Sequence, residues 1–152
     1  MMNALHLYLS DVSLTYPIHA DSVAAATELQ NLQLDDGLRV IDLPGTLLDQ
    51  SYLVQIWLLN NCIFVWMGSG AEKPRLDSLS TAIATRYSPM PLITSIVGAP
   101  EMEEQQIAQR LARRSKRQCF VSCQLPDHVP ELFGYVEKQV IKKLQDEGVI
   151  TK

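Results

Sequence analysis

A chain of 152 residues with 47% apolar content is long enough to bury one sizeable core and fits one domain, residues 1–152, better than two. Residues 1–9 hold no Lys or Arg, which argues against a secretory leader. The apolar run 52–67 is broken by Asn60-Asn61 and is shorter than the roughly 20 residues a membrane-spanning helix needs, so it is expected to be buried strand. The formal net charge is −4 but unevenly placed: residues 1–72 hold eight acids against one base, and residues 73–152 hold nine acids against twelve bases.

Short alternating stretches at 5–9 and 11–16 suggest strands. Residues 17–37 turn Ala-rich and polar, which suggests a loop or short-helix insertion. Strand character resumes over 38–43, with Pro44-Gly45 as its expected end. Two apolar runs, 53–59 and 62–67, flank Asn60-Asn61, and Asn tolerates the positive φ of a tight turn, so they predict a β-hairpin. Side chains alternate across a strand, which places Val54, Ile56 and Leu58 on one face and Leu53, Gln55, Trp57 and Leu59 on the other. Both faces are largely apolar, so the hairpin needs cover on each side, from its own chain or from another protein.

Gly68-Ser69-Gly70 is the one candidate phosphate loop, yet it lacks the third glycine of a dinucleotide fingerprint and the Gly-Lys-Ser/Thr of a P-loop. It reads as a turn. Pro74 then opens an expected helix whose Leu76, Leu79, Ile83 and Tyr87 recur at helical spacing. A strand follows over 91–97. The next helix starts at Pro100, with Glu101, Glu103 and Glu104 at its N-terminus and Arg110, Arg113, Arg114, Lys116 and Arg117 at its end. That polarity suits the helix macrodipole, but Arg110 and Arg114 repel at i, i+4, and five cations exceed what the dipole needs. Solvation and docking of a macromolecular partner both remain open for this basic knot. A final strand spans 118–124. The chain ends in a helix over 127–148, with Asp127 as N-cap, Gly148 as stop and Val129, Leu132, Phe133, Val136, Val140 and Leu144 as its apolar stripe. The expected fold is α+β: a largely antiparallel sheet of about six strands with two or three helices packed on it.

Little here suggests chemistry. Cys62, Cys119 and Cys123 are odd in number, and four residues along a strand separate the last two by roughly 13 Å, too far to bridge, so buried thiols in a reducing compartment are expected. His6, His19 and His128 are scattered, and no metal or cofactor site is expected. No nucleophile, base and orienting group form a legible set, so the chain is not expected to be an enzyme. A nucleic-acid-binding module using residues 110–117 is the alternative function; a sequence pI of 5.3 argues against it.

Residues 107–125, IAQRLARRSKRQCFVSCQL, closely resemble the signature of the proteasome assembly chaperone 4 family. Arg86-Tyr87, Pro91, the 94–98 segment TSIVG, the 11–14 segment DVSL and the hairpin end FVWMG agree in order. The resemblance covers most of 43–145. It implies a non-enzymatic, cytoplasmic or also nuclear factor that forms a heterodimer with proteasome assembly chaperone 3. The pair would promote α-ring formation of the 20S proteasome by binding α subunits, notably the fifth, without nucleotide, metal, nucleic acid or membrane. Within such a factor Trp57 and Trp66 are the candidate anchors toward the partner chaperone, and Arg110, Arg113 and Arg114 the candidates for steering an acidic proteasome surface.

Overall fold

The computed structural model describes residues 37–151, which run β1 (Arg39–Leu47), β2 (Gln50–Leu58), β3 (Cys62–Ser69), β4 (Leu79–Thr85), β5 (Ser88–Val97), α1 (Met102–Ser115), β6 (Gln118–Gln124) and α2 (Pro130–Asp146). The expected strands at 5–9 and 11–16 lie outside the described residues, as does the 17–37 insertion apart from Gly37. The expectation of one domain over 1–152 likewise extends beyond them. All six strands form one sheet in the order β1-β2-β3-β6-β4-β5. Four of its five pairings are antiparallel and the fifth, β3 with β6, is parallel, as the α+β expectation of a largely antiparallel sheet requires.

The hairpin forms around Asn60-Asn61, where the Leu59 amide donates to the Cys62 carbonyl at 3.0 Å. Its inward residues pair across the sheet: Ile41 lies opposite Ile56, Ile56 opposite Val65, and Val65 beside Val121. Both helices cover this face. Ile107, Ala108, Leu111 and Ala112 of α1 and Leu132, Val136, Val140 and Leu144 of α2 are buried in the same apolar cluster as those strand residues. At about 1.5–3 kcal/mol for each fully buried aliphatic side chain, the α2 stripe alone is a large part of what holds the fold.

Three expectations need correction. Residues 74–87 do not form a helix: Leu79–Thr85 is strand β4, paired with β5 and β6. The apolar residues at helical spacing misled because they do not share a buried face. Leu76, Ile83 and Tyr87 are all exposed, while Ser80, Thr81 and Ala82 are buried, a case of tertiary pairing overriding local periodicity. Pro44-Gly45 does not end β1, which continues to Leu47. Gly45 sits opposite Tyr52, and a Cβ on it would collide with the Tyr52 ring, so the glycine is a place for an aromatic to lie across the strand. Pro44 is tolerated because β1 is an outer strand of the described sheet. Finally, α2 begins at Pro130 with Val129 as its cap residue, and Asp127 stays in the preceding loop.

Candidate interaction surface

The two candidate tryptophans share the face of the sheet that the helices leave uncovered, but in different settings. Trp57 pairs with Phe64 across β2 and β3, its ring 5.3 Å from the phenyl ring, and it is 39% exposed. Its indole N–H donates to the Gln55 side chain at 2.8 Å, and Gln55 in turn donates to Asp42 at 2.9 Å, so the ring is held in place while its edge faces solvent. Trp66 lies two pairs further along, opposite Gln55, and is only 8% exposed. Its indole donates to the Arg75 carbonyl at 2.7 Å, so the segment after β3 folds over it. Gly68 makes room for this ring, since a Cβ there would lie 2.6 Å from the indole. The Gly-Ser-Gly turn thus has a packing role.

Sequence reasoning missed three further residues on the uncovered face. Ile83, Leu92 and Ile96 are 45%, 62% and 50% exposed, and Ile83 pairs directly with Leu92. With Trp57 and Phe64 they spread apolar surface across the sheet from β2 to β5, and among the described residues no helix covers it. Period-two alternation could have located Leu92 and Ile96; the mistaken helix hid Ile83.

The arginines belong elsewhere. Because α1 packs on the opposite face, the structure does not bring Arg110, Arg113 and Arg114 together with the tryptophans. Arg110 is engaged: its guanidinium donates from Nε and Nη2 to the two Glu137 oxygens at 2.6 and 2.8 Å, and this bidentate pair raises the Arg110 pKa above its ordinary value. Arg113 and Arg114 are exposed and, among the described residues, meet no acid.

The helix macrodipole groups Glu104 with Glu101 and Glu103 at the helix N-terminus, yet Glu104 alone of the three is fully buried. Its carboxylate accepts from the Ser78 hydroxyl at 2.5 Å, the Ser80 hydroxyl at 2.7 Å and the Cys123 amide at 2.8 Å, which ties α1 to β4 and β6. The two hydroxyl distances are those of charge-assisted bonds. Its spacing with Ile107, Ala108 and Leu111, at i+3, i+4 and i+7, was the available signal.

Beside this network a cleft of about 600 Å³ opens at one end of the sheet, lined among others by Glu72, Asp77, Glu101, Glu103, Asp127 and His128. Cys123 also lines it, and burial pushes that thiol up to about 12, so it stays protonated near neutral pH. Among the described residues no group of three or more His, Cys, Asp or Glu could hold a metal ion, and no helix is long and apolar enough to cross a membrane.

The buried thiols make alkaline stability a useful readout. Cys119 is raised from the ordinary 9.0 to about 11 and Cys123 to about 12, in both cases chiefly by desolvation. The folded chain therefore keeps protons that the unfolded chain releases above pH about 9, so stability from these groups is intact below that pH and falls as pH rises through it. In urea titrations the midpoint should drop between pH about 8 and about 10.5, and the drop should be smaller in Cys119→Ala.

Helices on one face of a six-stranded mixed sheet, with exposed apolar side chains on the other, define an α+β domain with an open face available for contact. A family model described as Proteasome assembly chaperone 4 matches residues 51–125. Over 88 residues the chain is 32% identical to proteasome assembly chaperone 4 of Mus musculus and 31% identical to that of Homo sapiens, in each case covering 57% of this chain and 69% of the relative. This chain belongs to the proteasome assembly chaperone 4 family. A chain from the crystal structure of a chaperone complex for yeast 20S proteasome assembly shares the fold, with a TM-score of 0.59 at 17% identity over 72% of this chain and 97% of that one.

Proposed function

We propose that this chain acts as one half of a heterodimeric 20S proteasome assembly chaperone, pairing with proteasome assembly chaperone 3 through the uncovered sheet face, and that the pair promotes α-ring formation by binding α subunits, notably the fifth. The single observation that carries the pairing is the exposed apolar row of Trp57, Ile83, Leu92 and Ile96 on a sheet whose other face is already filled. Exposed contiguous apolar surface on a small folded domain marks a binding site. A related chaperone with an equally open sheet would turn both faces into one dry core.

Ring assembly is then a holding problem. A binder that favours one subunit arrangement stabilises it by mass action, and it leaves when later subunits occupy the same surface more tightly. No reaction is needed. In this scheme the exposed Arg113 and Arg114 steer an acidic α-subunit surface, whereas Arg110, closed on Glu137, contributes little. Trp57 is the anchor toward the partner chaperone, and Trp66 supports the sheet beneath it. The site of action is the cytoplasm, or also the nucleus.

The test is purification of the tagged protein from its own cells at moderate salt, with mass spectrometry of what accompanies it. A related small chaperone together with α subunits and without β subunits is the expected result. Recovery of neither would overturn the assignment.

A further inference from the structure

We propose that the end of the sheet away from the acidic cleft is a second docking surface, built by Arg86 and Tyr87 with Arg113, Lys116 and Arg117, and that it takes an acidic segment of a partner protein. The proposal deepens the α-subunit reading and rests on it for the partner's identity, though not for the partner's chemistry.

The topology brings these residues to one end. β4 and β6 are antiparallel neighbours, with Ala82 opposite Cys119, so the turn after β4, which carries Arg86 and Tyr87, and the link before β6, which carries Lys116 and Arg117, emerge together. The Gln109 side chain donates to the Pro91 carbonyl at 2.9 Å, which holds that flank of α1 over the start of β5. Arg113, one turn further on, lies on the same flank. Along the chain a strand and a helix separate Arg86-Tyr87 from the Arg113–Arg117 cluster, and only that cluster is conspicuously basic in the sequence.

The side chains suit a short acidic ligand. Tyr87 is 89% exposed, and the Arg86 guanidinium lies 5.7 Å from the centre of its ring, so a cation is held beside a bare aromatic face. Lys116 sits in the left-handed conformation at φ 58°, which ends α1. Among the described residues no acid pairs with Arg113, Lys116 or Arg117, in contrast to the closed Arg110–Glu137 pair.

The rest of the molecule decides between kinds of polyanion. Glu101, Glu103 and Asp127 line the cleft at the other end together with Glu72 and Asp77, which share the single cation Arg75, so that end is net acidic and charge is separated along the strands. A short acidic segment meets only the basic end. A nucleic acid long enough to extend past it would run toward the acidic end and be repelled. The surface also lies at the end of the sheet, off its open face, so a partner chaperone and an acidic segment can be held at once.

The test is fluorescence anisotropy of a fluorescein-labelled Asp/Glu-rich peptide with the full chain, in parallel with a single-stranded DNA oligonucleotide. Arg86→Glu should weaken peptide binding about tenfold and Tyr87→Ala several-fold, whereas Lys138→Glu, the same charge change on the exposed side of α2, should stay within about twofold. Circular dichroism should show all three variants folded, because each altered side chain is exposed or partly exposed. Equal effects of Arg86→Glu and Lys138→Glu, no peptide binding at all, or tighter binding of the oligonucleotide would each overturn the proposal. The α-subunit assignment fails separately: if α subunits do not co-purify while the peptide result holds, only the partner's identity is lost.

Discussion

Glu104→Ala should destabilise the folded chain by about 3 kcal/mol, which for a domain of this size lowers Tm by roughly 10 °C. The substitution removes the only charged acceptor of a buried cluster. It leaves the Ser78 and Ser80 hydroxyls and the Cys123 amide without the oxygens they now meet at 2.5 to 2.8 Å. Glu104→Gln keeps one carbonyl oxygen for these donors and should lose distinctly less. Glu103→Ala, an exposed neighbour on the same helix turn, should change stability by no more than about 0.5 kcal/mol. Urea unfolding of the three variants checks the ordering. A Glu104→Ala chain as stable as Glu103→Ala would mean that the helix is held to the sheet by apolar packing alone.

The second large effect concerns pairing. If the open face pairs as proposed, Leu92→Asp should reduce affinity for the related chaperone by at least tenfold while leaving the monomer folded, because Leu92 is 62% exposed in the isolated chain. Trp57→Ala should act in the same direction. Trp66→Ala should behave differently: its buried ring and its bond to the Arg75 carbonyl make the loss one of stability, about 3–5 kcal/mol if the site does not collapse. Isothermal titration of the folded variants against the partner separates the two outcomes. A Leu92→Asp chain that pairs normally removes the open face from the interface.

What could be read from the chain follows from where local pattern and tertiary structure agree. The hairpin and β6 were legible because two-sided apolar runs and a turn of two asparagines leave a strand few alternatives. Residues 79–85 were not, since six of the seven are small or β-branched and their strand state is set by pairing with β5 and β6 rather than by their own spacing. Burial of an acid is similarly silent: Glu104 resembles its neighbours Glu101 and Glu103 until two serines from another part of the chain are brought to it. The candidate site was half legible. Composition marked Trp57 and the arginines, but not which arginine already had a partner or that the aromatics and cations would lie on different surfaces.

The outer strands carry one more consequence. An unpaired strand edge is a template on which other chains can polymerise, and a domain with a bare apolar face is the kind most at risk. Both outer strands of the described sheet contain proline, Pro44 in β1 and Pro89 and Pro91 in β5, and a proline offers no amide to an incoming strand. The Pro91 carbonyl is further occupied by Gln109. Edge-to-edge growth into fibres is thereby discouraged even though apolar side chains on the second face of the described sheet stay exposed.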